Sequence, residues 1–130
     1  MRETILLFHI EDKTRLNKIR KALLPLKLRI KVVQPEEYCQ PVGFLAGDPE
    51  ILPVQETTGE KPEEITEEMM VMAWLSSGRV DQVIRAFRKA GLARIDYKAV
   101  LTPQNRFWDC RKLYGELVRE HAAYESGSAL

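Results

Sequence analysis

The chain has 130 residues, 45% of them hydrophobic and 30% charged, with 20 basic against 19 acidic side chains. That supplies one core, is too short for two ordinary domains, and excludes a disordered chain. No apolar run approaches the roughly 18 residues of a membrane span, and the opening Met1-Arg2-Glu3-Thr4-Ile5 is no signal peptide, so a cytoplasmic protein without membrane attachment is expected.

In chain order, Leu6, Phe8 and Ile10 alternate with Ile5, Leu7 and His9, a run apolar on both faces that predicts a central strand. Leu16, Ile19, Leu23 and Leu26 follow at helical spacing. Asp12 or Thr14 can cap that helix, and Pro25 ends it, because the residue before a proline is steered away from α geometry. Ile30 and Val32 mark a second strand, followed by Gln34-Pro35 and a short helix near Tyr38 to Leu45. From Asp48 to Glu68 stand 8 of the 19 acidic residues against Lys61 alone, with Pro49, Pro53, Gly59 and Pro62 among them, so residues 48–67 read as an acidic linker or long loop.

The pattern then repeats. Met70, Met72 and Trp74 lie 64 positions after Leu6, Phe8 and Ile10, and Val80, Val83, Phe87 and Ala90 lie 64 after the first helical stripe. Ser76 or Ser77 can cap the second helix, and Gly91 suits a left-handed residue at its end. Ile95, Tyr97 and Ala99 alternate with Arg94, Asp96 and Lys98, a one-sided strand for an edge or a solvent-facing surface. Thr102 and Pro103 suit the N-cap and first position of a last helix running towards Tyr124, with Phe107, Cys110, Tyr114, Leu117 and His121 on one stripe.

Residues 1–47 and 68–127 therefore form two βα halves of a single domain, an internal repeat joined by the linker. The expected fold is α+β, a two-layer ferredoxin-like βαββαβ sheet with an extra C-terminal helix. The alternative is an α/β four-stranded parallel sheet with helices on both faces. Central strands apolar on both faces cannot leave one face wet, since each exposed large side chain forgoes about 1.5–3 kcal/mol. The cover must come from the C-terminal helix, the segment after Pro35, or a second copy of the chain, so a homo-oligomer, a dimer, is expected.

The stretch from Glu67 to Tyr124 resembles an uncharacterised bacterial family, domain of unknown function 3783. The likeness rests on Glu68-Met69-Met70-Val71, on Phe87-Arg88-Lys89-Ala90-Gly91, and above all on Lys98-Ala99-Val100-Leu101-Thr102-Pro103-Gln104-Asn105 with Trp108. It implies a bacterial cytoplasmic protein and carries no activity.

Candidate chemistry is sparse. The Thr102–Asn105 turn leaves a strand and opens a helix, where free N–H groups with Arg106 nearby suit an anion, Trp108 offers an apolar wall and Lys98 a countercharge. Otherwise Thr102 is a cap, Asn105 ties the turn down and Trp108 fills the core. Ser76-Ser77-Gly78-Arg79 is the matching turn after the third strand, an anion nest or a plain cap. His9 and His121 lack partners at metal spacing, and Cys39 and Cys110 form no CxxC, so no metal, cofactor or catalytic residue is assigned. The basic residues outside the linker fall largely on helix positions away from the apolar stripes, and the third strand lacks the Lys/Arg-Gly-Phe signature of an RNA-binding sheet, which disfavours nucleic acid. A non-catalytic interaction or regulatory module that self-associates heads the readings. A small anion-binding or enzymatic domain using the Thr102–Asn105 helix start follows, and nucleic-acid binding comes last.

Overall fold

The computed structural model describes residues 1–55 and 65–125. Its elements run β1 (Thr4–Phe8), α1 (Lys13–Leu23), β2 (Arg29–Val33), α2 (Val42–Leu45), β3 (Met69–Ala73), α3 (Ser77–Lys89), β4 (Tyr97–Val100) and α4 (Cys110–Glu125), with short 3₁₀ turns at Leu24–Leu26, Pro35–Glu37 and Asn105–Phe107. The sheet order is β2-β1-β3-β4. The two doubly apolar runs are the central strands, with all five residues of each buried, and the one-sided runs are the edges.

The class is α+β, and the βαββαβ element order is as expected. The pairing is mixed. β1 lies parallel to β2 and β3 parallel to β4, while β1 and β3 meet antiparallel. Each unit thus keeps its own two strands adjacent, whereas a ferredoxin-like sheet inserts a strand between them. A helix returning the chain to the same edge makes a parallel neighbour, so each unit closes locally.

Helices lie on both faces, as in the alternative arrangement. Ile5, Leu7, Met70 and Met72 face Ile19 and Leu23 of α1 and Val83 and Phe87 of α3. Leu6, Phe8, Met69 and Val71 face Tyr38, Val42 and Leu45 around α2 and Cys110, Leu113 and Tyr114 of α4. Both intramolecular covers foreseen for the second face are used, and the result is three layers where two were expected. The segment after β2 is stitched to the start of α4: the Val42 N–H donates to the Trp108 carbonyl at 2.8 Å, the Cys110 N–H to the Tyr38 carbonyl at 3.2 Å, and Pro41 bridges Asp109. Gly43 makes this contact possible, because a Cβ there would lie 2.6 Å from Ile51 Cδ1 and 2.8 Å from the Arg106 carbonyl oxygen.

Like positions in the two units do like work. Asp12 caps α1 and Ser76 caps α3. His9 and Trp74, each the first residue after a central strand, are both left-handed, and so are Lys27 and Gly91 after the helices. Arg15, third in α1, grips Glu68 just before β3 with two bonds of 2.7 and 2.8 Å and also reaches the Ala93 carbonyl. Arg79, third in α3, grips Glu3 just before β1 and reaches the Leu26 carbonyl. Each helix is thereby clamped to the other unit's central strand.

The last helix departs from expectation. Thr102 and Pro103 open only a turn; Trp108 is extended, and α4 starts at Cys110, with the Lys112 N–H donating to Asp109 Oδ1 at 2.8 Å. Phe107, placed on the helical stripe by spacing, is instead 59% exposed. The described ends of the acidic segment are packed: Asp48, Ile51 and Ile65 are buried, and Gln40 exchanges two hydrogen bonds with Val54. Residues 56–64 of the expected linker lie outside the described residues.

Candidate functional site

The Thr102–Asn105 turn closes upon itself. The Thr102 N–H donates to Asn105 Oδ1 at 2.8 Å, the Asn105 N–H to Thr102 Oγ1 at 3.0 Å, and Asn105 Nδ2 to the Val100 carbonyl at 3.1 Å. Asn105 is buried, and its amide does the work of a backbone turn. Arg106 turns back to the acidic segment, with Nη1 2.8 Å from Asp48 Oδ2 and 3.0 Å from Glu50 Oε2. The Glu50 N–H, and then Arg106, hold the Asp48 carboxyl below the usual carboxylate range despite its burial. Trp108 packs on the α4 side of the sheet with the Lys112 ammonium 4.9 Å from its ring centroid. Ser76 Oγ accepts the Arg79 N–H as the cap of α3, and Ser77 is the first helical residue. Thr102 and Arg106 share a hollow of about 270 Å³ with Trp74, Leu101 and Pro103. Lys98 lies on the opposite side of the sheet, so Lys98, Asn105 and Trp108 do not converge.

Lys98 has a site of its own. In the parallel ladders Ile30 pairs with Ile5 of β1, and Lys98 pairs with Met70 of β3. Ile30 packs into the core under α1 and α3. Lys98 occupies the corresponding inward-facing place in the second unit, a face the alternation of charged residues assigned to solvent. There it borders a hollow of about 460 Å³ walled by Met70, Ile84, Phe87, Leu92 and Ile95 and rimmed by Arg88 and Arg94. Its Nζ donates to the Ile95 carbonyl at 2.7 Å. Burial first, and then the neighbouring Arg94, hold the ammonium pKa below the ordinary lysine range, with Asp96 opposing. Arg94 pairs with Asp96 at 3.0 Å. Arg88 stands in the last turn of α3 and makes no ion pair among the described residues.

A second cleft, of about 430 Å³, is acidic, with Glu11, Asp12, Glu67, Glu68 and Asp96 around His9 and Tyr97. His9 Nε2 lies 3.2 Å from Glu11, and Arg15 neutralises Glu68. Among the described residues no group of three or more His, Cys, Asp or Glu side chains could hold a metal ion. Cys39 and Cys110 are free thiols, and burial pushes the Cys110 thiol far above its ordinary range, which makes it unreactive. No helix of the described residues is long and apolar enough to cross a membrane.

Residues 68–124, which carry β3, α3, β4 and nearly all of α4, match the family model described as Domain of unknown function (DUF3783). No curated protein and no solved structure matches the chain. The Lys98 hollow lies wholly within the matched region. Of its residues only Lys98 is singled out by the sequence as a ligand contact, while Arg88 and Arg94 are submerged in a general basic surplus. The missed signal is a register: aligning the second strands at an offset of 65 sets Ile30 against Ile95, whereas the stretch from β3 to β4 is longer and the residue at the position corresponding to Ile30 is Lys98.

Proposed function

We propose that the protein is a small non-catalytic regulatory module whose effector, an organic anion, binds in the hollow around Lys98. The observation that carries this reading is a lysine at a core-facing sheet position where the other half has isoleucine. An ammonium in such a place pays a desolvation cost that an apolar residue would avoid; it shares the hollow with the Arg88 and Arg94 guanidinium groups, makes no ion pair among the described residues, and has Asp96 near it already paired with Arg94. An anion resting on Lys98 and Arg88, with its body against Phe87 and Ile84, relieves that excess. The Thr102–Asn105 start supports anion binding less well, because the Thr102 and Asn105 N–H groups are consumed inside the turn and Arg106 is held by two carboxylates.

The test is a titration of ¹³C-methyl-labelled protein with benzoate and with neutral benzyl alcohol, reading the Met70 methyl signal. Saturable benzoate binding at millimolar concentration, lost in Lys98→Met and weaker for the alcohol, is the expected result. An unmoved Met70 signal, or equal binding by Lys98→Met, overturns it.

The same reading takes the chain as one bacterial cytoplasmic domain built by duplication of a βαβ unit. The paired caps, left-handed residues and Arg–Glu clamps support the duplication, and the two free thiols suit a reducing compartment. Self-association is a separate proposal. The chain covers the sheet's second face itself, so the support left for a dimer is the free edge of β4, where Val100 is 42% exposed; sedimentation of the full chain is its test.

A further inference from the structure

We infer that the ligand of the Lys98 hollow is a free small phosphate monoester of an apolar alcohol, an inference that rests on the reading of this hollow as an anion site. Charge sets the first requirement. Arg88 and Lys98 have no carboxylate partner among the described residues, and Arg94 is matched by Asp96. The carboxyl end of α3 contributes about half a negative charge, which leaves between one and two positive charges to be met. A carboxylate supplies about one negative charge, a phosphate monoester roughly 1.5 to 2. The guanidinium fork of Arg88 suits two phosphate oxygens, with the Lys98 ammonium as a point charge on the third.

The walls set the second requirement. Ile84, Phe87 and Leu92 line the same hollow as Arg88 and Lys98, and inorganic phosphate alone would leave their apolar surface uncovered. The hollow holds about 460 Å³, and an apolar cavity of roughly 150 Å³ already takes a benzene ring. One ring with its phosphate therefore fits.

Phenyl phosphate is the probe, titrated against the full chain at constant ionic strength beside benzoate, inorganic phosphate and a phosphotyrosine peptide. Phenyl phosphate should bind about tenfold tighter than benzoate or inorganic phosphate, a margin of about 1.4 kcal/mol. Arg88→Met, a change at an exposed position, should cost most of that margin and weaken benzoate by no more than about threefold. Benzoate binding as tightly as phenyl phosphate refutes the dianion while leaving the anion site standing. Inorganic phosphate binding equally well refutes the apolar body. A peptide that outbinds phenyl phosphate refutes a free small molecule, and failure of all probes removes both this inference and the site.

Discussion

Gly43 shows how one residue fixes the second layer. It lets α2 lie against the 3₁₀ turn before α4, so that Asp48 can reach Arg106 and the Trp74 indole can donate to the Ala46 carbonyl at 3.1 Å. Two of the three atoms nearest a Cβ at Gly43 belong to Arg106, one of them the backbone oxygen, so the contact cannot yield by a side-chain rotation alone. Gly43→Ala should therefore destabilise by about 1–3 kcal/mol, the usual cost of overpacking, read as a lowered urea midpoint. An unchanged midpoint would mean that this seam is loose. Nothing in the sequence marks Gly43, which has a negative φ and sits in a four-residue helix; its need arises only from what comes to lie beside it. Asn105 is a partly legible case, since its spacing from Thr102 suggested a tied turn, and that is the role it has.

At the scale of elements, what the sequence made visible was periodicity. The doubly apolar runs are central strands, the two stripes led by Leu16 and Val80 are helices, and Asp12, Ser76 and Gly91 mark helix ends as their chemistry requires. Pro25 follows the end of α1 but not for the expected reason, because Leu24 before it keeps right-handed helical geometry and Pro25 lies inside the 3₁₀ turn Leu24–Leu26. The sequence could not reveal strand pairing, because parallel and antiparallel neighbours leave the same alternation. Nor could it reveal the Arg–Glu clamps, whose partners are 53 and 76 positions apart. The clamps cross between units, so they matter to the whole sheet: Arg15 ties α1 to the start of β3. Arg15→Met should lower stability by about 1–3 kcal/mol, the worth of charge-assisted bonds lost from a half-buried carboxylate. Unfolding by circular dichroism and by tryptophan fluorescence should still coincide, since Arg79 holds the reciprocal contact. Separate transitions would show that the two units are independent.

At the scale of the molecule, the β1–β2 and β3–β4 pairs meet antiparallel along β1 and β3, and Lys98 in the second stands where the first has Ile30. The sheet packs a half-buried Ile30 against the core under α1 and α3 at one edge and admits Lys98 at the other, with a hollow and two arginines beside it. Asp48 and Glu50, at the described start of the acidic segment that composition makes legible, offset the charge of Arg106. Function is hard to read from the sequence because the hollow draws on α3, the loop after it and β4 together, and no motif spans those three.

The anion site is tested most directly by the Lys98 ammonium itself, followed through its ¹³Cε signal as pH is raised with and without phenyl phosphate. Because burial and Arg94 depress its pKa, the free protein should lose the Lys98 proton below the ordinary lysine value of about 10.4. A bound anion favours the charged form, so the midpoint should rise when phenyl phosphate is present, and affinity should fall as pH passes through it. A midpoint in the ordinary range, unmoved by phenyl phosphate, would contradict the account.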